Sequence, residues 1–454
     1  MDNGVLKPKG KSAALLALLV LVCAVSLRLA YVAETRVVNP VVLDALDYVA
    51  YGYNMATHGV YSKQTGTADP TPDSFRSPGF PALIAGSIMI FGENGFYKPI
   101  LFVHVLYGAA TALLAFLLTR LFLPLWGAFL AGMLTALSPH LVAMSSYLLT
   151  ETQFAFFLCL GVYLFALAQV RRSAPGYAAA GAALGAAYLT NETTLLLPFA
   201  LAGGALVFRS ARGFIADKKG LALFLAVFVI APVAWGLRNA VNVPPGAPAG
   251  SERALATMAH GAYPDFTHKD PAMRGLPYRD DPEYSRMSES AGSFLDVLWE
   301  RVAREPGRYA RWYLVGKPCT LWSWDIIQGQ GDVYVYPVNR PLFRTRAWAG
   351  TVHGVMRVLH PVVLALSLVG LLLCVVEAWK RPRRGGDGLF PVAVYVVVVY
   401  YTLVTMVFAP WPRYGVPLRP YLYIGAVWCI AWIAGRLILA KRKGRKQIGE
   451  AMAA

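Results

Sequence analysis

Acidic side chains are scarce in this chain: 25 Asp and Glu stand against 42 Lys and Arg among 454 residues. Charged residues of both signs reach only 15%, where aqueous domains carry about 25%. That deficit, with 57% hydrophobic content, excludes a soluble globular fold. Cysteine is rare as well. Of the five, Cys23, Cys159, Cys374 and Cys429 lie inside apolar runs and only Cys319 in a connecting segment, so no disulfide framework or zinc-type spacing exists. The histidines (His58, His104, His140, His260, His268, His353, His360) show no paired ligand spacing. No cofactor is called for, and nothing asks for a divalent cation, although Asp or Glu could ligate one. A Gly-rich nucleotide loop and a G-x-S-x-G element are also missing, which disfavours a cytoplasmic nucleotide donor or ATP.

What the chain has instead is a series of apolar runs, several near the roughly 20 residues needed to cross a hydrocarbon core of about 30 Å. They fall near Ser12–Val32, Pro99–Phe122, Trp126–Met144, the run ending at Arg171, Tyr177–Leu189, Leu195–Phe208, Leu221–Leu237, Val352–Trp379, Val392–Phe408 and Tyr421–Leu439. The fifth and sixth are short and meet at Thr190-Asn191-Glu192-Thr193. Polar backbone at membrane depth is tolerated only where protein or a wet cavity covers it, so a cavity is expected near Glu192. Basic clusters sit between or after the runs: Lys7, Lys9 and Lys11; Arg171 and Arg172; Arg209, Arg212, Lys218 and Lys219; Lys380, Arg381, Arg383 and Arg384; and Lys441 through Lys446. These are positive-inside signals. They account for most of the formal charge of +17 without a nucleic-acid partner. The first run has the flanks of a signal peptide, but its length and the later topology favour a retained anchor.

The expected fold is an all-α polytopic membrane protein of about ten transmembrane helices, with extracytoplasmic juxtamembrane helices and one larger extracytoplasmic insertion. Three regions follow: 1–240, including a first outer loop over 34–98; the insertion, 241–350; and 351–454 with a basic tail. In the first loop Ala45–Thr57 reads as a short helix stopped by Gly59, and PGFPALIAGSIMIFG as an interfacial or re-entrant helix. In the insertion Arg301, Arg304, Arg308 and Arg311 recur at helical spacing among Trp299, Trp312 and Tyr313, a pattern for a segment lying on the membrane surface.

Two acids open the first loop helix. Asp44 and Asp47, three apart, share a face and could act as a general base toward an acceptor; capping or solvation is the plainer alternative. Arg76, Arg238 and Arg413 fall on the same expected side and suit bidentate phosphate contacts, against the alternative of interface anchoring. Glu151 opens an apolar run, where it would also suit the helix dipole. Glu192, at membrane depth, is costly unless paired with an arginine, a cation or a proton path.

These pieces, in this order, resemble the membrane-embedded GT-C glycosyltransferases, above all the protein O-mannosyltransferase superfamily that includes the lipid A aminoarabinose transferase. The resemblance rests on Asp44, Tyr48, Gly59 and Tyr61; on Arg76, Pro78, Phe80 and Phe91-Gly92; on Glu151; on Arg238-Asn239; and on Arg413, Tyr414, Pro417 and Pro420. The chain departs from the pattern at Ala45, where the family has a second acid, and at Glu192, where relatives often carry a base. The resemblance implies an inverting transferase using a polyprenyl-phosphate (undecaprenyl-phosphate) sugar in a bacterial inner membrane, with the site on the periplasmic face. It singles out Asp44 as base, with Asp47 beside it, and Arg76, Arg238 and Arg413 at the donor phosphate. Tyr48, Tyr61, Glu151, Glu192, Asn239 and Tyr414 would line the substrate cavity. The acceptor would be a glycolipid such as lipid A of lipopolysaccharide, a glycan or a protein. A lipid-linked-sugar flippase, or a transferase with a diphosphate-linked donor, are the competing readings.

Overall fold

The computed structural model describes residues 10–210, 217–264, 276–279, 281–327, 330–380 and 390–453. Several of the basic residues used above for orientation (Lys7, Lys9, Arg212, Arg381, Arg383 and Arg384) lie outside these, as does His268. The described chain is almost entirely helical. In order it runs α1 Gly10–Glu34, β1 Arg36–Val37, α2 Asp44–Thr57, α3 Gly79–Phe91, α4 Tyr97–Arg120, α5 Leu125–Leu137, α6 Pro139–Ala143, α7 Glu151–Arg171, α8 Ala174–Thr190, α9 Leu197–Ser210 and α10 Lys218–Asn242. The insertion follows as α11 Gly250–Gly261, α12 Tyr284–Met287, α13 Ala291–Arg304, α14 Pro306–Arg311, α15 Lys317–Leu321, β2 Val338–Asn339 and α16 Leu342–Thr345. Three long helices close the chain: α17 Ala347–Lys380, α18 Phe390–Val407 and α19 Arg419–Ala453.

Each of the ten apolar runs is helical, nine as one helix and the third, Trp126–Met144, in pieces. Six of them are long and apolar enough to cross a membrane: α1, α4, α7, α10, α17 and the segment Pro412–Ile438. A seventh run is apolar enough but bent, as a broken span or a re-entrant loop would be. The run expected over Trp126–Met144 bends by 50° between α5 and the stretch that begins at Pro139. The reason is chemical, since Pro139 has no backbone N–H and its ring disfavours helix in the residue before it; Ser138 is accordingly extended. The break frees carbonyls in an apolar interior, and Arg28 answers one of them. Its guanidinium is fully buried between helices and donates to Ala24 O and Ala136 O, each at 3.1 Å. The remaining three runs, α8, α9 and α18, are 17, 14 and 18 residues long, and α8 is separated from α9 by the expected break at Asn191–Thr194.

The core is the set of helices around α7, with α4, α8 and the turn at Pro412–Leu418 packed on it, α1 and α5 packed on α4, α10 on α8, and α19 on α5 and α17. Against this body the first loop builds a small two-helix platform. α2 lies along α3 because Gly52 presents no Cβ to Ile84. α3 in turn begins hard against the end of α8, where a Cβ on Gly79 would lie 2.8 Å from Leu189 O. A two-residue ribbon, β1 paired antiparallel with β2, ties the end of α1 to the insertion.

One expectation about the insertion comes out differently. The arginine repeat is interrupted at Pro306 as read from sequence, but Arg301 does not face outward. It is drawn into the insertion by Asp281 at 2.6 Å and Glu283 at 2.7 Å, above the Tyr263 ring. Sequence spacing could not anticipate that pairing, because the acids belong to a separate turn. The apolar side of α13 that is exposed carries Leu295 and Trp299.

Candidate active site

α2 starts with both acids in its first turn, where the helix dipole favours negative charge. The residue before it, Leu43, has φ of 52°, a left-handed conformation that costs a non-glycine side chain of order 1–3 kcal/mol. α2 is therefore entered through a strained joint, and Asp44 is the first residue beyond it.

Arg76 closes on the two acids from the loop before α3. Its Nε and Nη2 donate to Asp47 Oδ2 at 2.9 and 2.7 Å, and Nη2 also donates to Asp44 Oδ1 at 2.7 Å. From the far end of the chain Arg413 donates to the other oxygen of Asp44, at 2.6 Å, while its Nε lies 2.8 Å from Glu151 Oε1 at the start of α7. Asp44 is thus held between two guanidiniums carried by segments more than 300 residues apart in sequence. Burial alone would raise its carboxyl, but the charges of Arg413 and Arg76 outweigh it and hold the group well below the usual carboxylate range. Arg76 is pushed above its ordinary value despite burial, by Tyr48 and the two aspartates.

The aromatic residues form the walls. Tyr48 lies 5.1 Å under the Arg76 guanidinium and edge-on to Phe80, and burial pushes its phenol up to about 12. Tyr61 stacks on Tyr51 with ring centres 4.2 Å apart and donates to Arg76 O at 2.9 Å. Tyr414 packs beside Arg413. Arg238, at the end of α10, donates to Asp73 O at 2.7 Å, Tyr61 O at 3.2 Å and Asn239 Oδ1 at 3.0 Å, and lies above the Tyr61 and Trp235 rings. Among the described residues no carboxylate pairs with it, which separates it from Arg76 and Arg413.

Glu192, in the break between α8 and α9, accepts from Ser77 Oγ at 2.9 Å and from Arg253 Nη2 at 2.7 Å. Arg253 Nε donates to Phe75 O, one residue before Arg76. All eleven residues picked from sequence therefore fall in one connected network, and the arginines interleave with the acids instead of facing them across a gap. Three carboxylates (Asp44, Asp47, Glu151) share two guanidiniums, one negative charge over, and the Glu192–Arg253 pair is neutral.

Sequence reasoning missed Arg253, Asp73 and Tyr336. Arg253 sits in a helix of the insertion, where a lone arginine reads as a solvated face. Asp73 receives the Tyr51 hydroxyl and the Lys63 backbone N–H, a loop-bracing role with no local pattern. Tyr336 precedes β2, near enough for the charges of Arg413, Asp44 and Glu151 to act on its phenol; only the ribbon pairing brings it there. Among the described residues no group of three or more His, Cys, Asp or Glu is arranged to hold a metal ion.

With this fold and site in view, the chain is similar in fold to the membrane-embedded GT-C glycosyltransferases, and the resemblance read from sequence is borne out at that level. The apo oligosaccharyltransferase of Archaeoglobus fulgidus superposes with a TM-score of 0.54 at 14% identity, over 96% of this chain and 52% of that one. The same archaeal enzyme, AglB, in complex with an inhibitory peptide and a dolichol-phosphate, gives 0.52 at 14% over 95% and 52%. The chain thus spans about half the length of these enzymes. ArnT from Cupriavidus metallidurans bound to undecaprenyl phosphate aligns over 94% of this chain and 78% of its own, at 14% identity and a TM-score of 0.41. In sequence, the family model of dolichyl-phosphate-mannose-protein mannosyltransferases matches residues 75–235, from the residue before Arg76 to three residues before Arg238. No curated protein sequence matches the chain.

Proposed function

We propose that this protein is a glycosyltransferase that moves a sugar from a polyprenyl-phosphate donor to an acceptor at the membrane surface where α2 lies. The observation that carries the reading is the grip of Arg76 and Arg413 on the two oxygens of Asp44. In the proposed reaction the acceptor O–H or N–H gives its proton to Asp44. Its heteroatom attacks the sugar's anomeric carbon, and the bond from that carbon to the phosphate oxygen breaks with inversion. The electron pair leaves on the polyprenyl phosphate, whose added charge needs fixed cations.

A carboxylate between two arginines is a weak base, and the same geometry supplies a remedy. A donor phosphate that draws Arg76 or Arg413 to itself removes the charge that depresses Asp44, so donor binding raises the basicity of the group that must then act. Arg238, unpaired with any described carboxylate, offers the first contact for the phosphate. Asp47 keeps Arg76 oriented, Glu151 does so for Arg413, and Tyr48, Tyr61, Tyr414 and Asn239 brace the guanidiniums. Glu192, through Ser77 and Arg253, holds the insertion against the Arg76 loop. In this scheme the insertion, 241–350, receives the acceptor, and the site faces the extracytoplasmic side of a bacterial inner membrane, the matched family and fold agreeing with a lipid-linked donor.

The test is direct. The purified protein in liposomes is given a radiolabelled polyprenyl-monophosphate sugar and candidate acceptors: a glycolipid, a glycan and a peptide. Label covalently joined to an acceptor supports the proposal. Label that crosses the bilayer still on its lipid sinks it in favour of transport, and transfer from the diphosphate-linked donor alone overturns the monophosphate assignment.

A further inference from the structure

A second basic site lies away from Asp44, where the end of α1 meets the start of α17. A cavity of about 450 Å³ opens there, lined by Ala30, Ala33, Glu34, Arg36, Arg340, Leu342, Arg346 and Trp348. That volume is within the roughly 300–1,000 Å³ range of small-molecule sites. Its walls are fixed. Leu342 N donates to Thr35 Oγ1 at 3.0 Å and β1 is paired to β2, so two segments some 300 residues apart are locked side by side.

The charges are unequal. Glu34 is the one carboxylate in the lining, and it is already satisfied, by Arg346 Nε at 2.7 Å and by the Thr345 hydroxyl at 2.7 Å. Arg36 and Arg340 have no salt-bridge partner among the described residues and are exposed. Arg340 is also held at φ of 51°, a conformation a side chain of its kind rarely adopts. The lining also has apolar surface: Ala30, Ala33, Leu342 and Trp348, of which Trp348 is exposed, 52% accessible. Two guanidiniums without a salt-bridge partner among the described residues, beside Trp348 and at the ends of two helices long and apolar enough to cross a membrane, match a ligand with a phosphate head and a hydrocarbon body.

We propose that this cavity binds the phosphate-bearing headgroup of an anionic lipid from the leaflet that meets this end of α1 and α17. The site is separate from the proposed catalytic one and does not depend on that reading. Arg36 and Arg340 hold the phosphate, Arg346 is neutralised by Glu34, and Trp348 packs against the acyl stem.

The test uses the full chain, purified in a non-ionic detergent and titrated with dioleoyl phosphatidylglycerol while bound lipid is counted by native mass spectrometry. The wild type should retain one lipid above the non-specific background. R36Q/R340Q should bind it at least tenfold more weakly. Ala33→Trp, which fills the cavity without touching a charge, should do the same and guards against a folding defect in the double variant. Arg304→Gln, on the insertion surface, should bind like the wild type. Unchanged binding in both R36Q/R340Q and A33W would overturn the site. Displacement of the lipid by a few millimolar inorganic phosphate would overturn the lipid assignment and leave a free-anion site. An equal response to phosphatidylcholine would overturn the requirement for net negative charge.

Discussion

Asp44→Asn separates a catalytic from a supporting role, because the two predict opposite signs for donor binding. The substitution keeps the shape of the side chain and removes one unit of charge from a group in which three carboxylates share two arginines. General-base catalysis contributes about 10²–10⁴-fold, so turnover should fall by that factor, or about 3–5 kcal/mol at 1.36 kcal/mol per tenfold. Donor affinity should rise. A unit charge about 5 Å from a phosphate is worth about 3 kcal/mol at an effective dielectric of about 20. The Asp44 side chain is 28% accessible, so water reduces that figure, and a tightening of about tenfold is the working expectation. Single-turnover transfer gives the chemical step, and equilibrium binding of a non-reactive polyprenyl phosphate gives the affinity. Parental turnover in a folded D44N protein would refute the base assignment. Slower transfer with weaker donor binding would refute the exchange of arginines between carboxylate and phosphate, because it would mean that Asp44 serves to hold the site together.

Three further outcomes follow from the same geometry. Arg413→Ala leaves Asp44 and the buried Glu151 short of a cation and should destabilise the folded protein by about 3–5 kcal/mol; adding Glu151→Gln should recover part of it, read as a rise in thermal midpoint in detergent. Because the Asp44 carboxyl is held below its ordinary value, its contribution to stability is present above the unfolded value of about 3.9 and is lost as pH falls below that point through the folded value; D44N should flatten this part of an acid-unfolding curve. Lys317 shows the opposite sign. It is buried against Met406 O and Phe408 O with no ion-pair partner among the described residues, and burial pulls its ammonium down to about 7. The unfolded chain then binds more protons between about pH 7 and the unperturbed lysine value of about 10.4, so stability should rise with pH over that window. Lys317→Met should remove the rise when unfolding is followed by near-ultraviolet circular dichroism.

Much of this molecule is settled by sequence. Apolar length gives ten helical segments wherever the runs occur, because backbone polar groups in hydrocarbon must bond within their own helix. Local signals also hold at fine scale: α2 stops at Thr57 with Gly59 at φ of 67°, α13 gives way to α14 at Pro306, and the polar string at Asn191–Thr194 does break the span. Even the candidate residues were legible, since charged side chains are few enough in such a chain that each stands out. Their partners were not. Nothing local tells Arg413 to take Asp44 and Glu151, Arg253 to take Glu192, or Arg28 to cap the carbonyl freed at Pro139, because ion pairing depends on which side chains the helix packing brings within 3 Å. Tertiary structure thus decided that Asp44 is clasped by two arginines, that Arg238 alone among the three chosen arginines has no carboxylate partner among the described residues, and that Arg36 and Arg340, also without salt-bridge partners among those residues, are brought together by the β1–β2 ribbon.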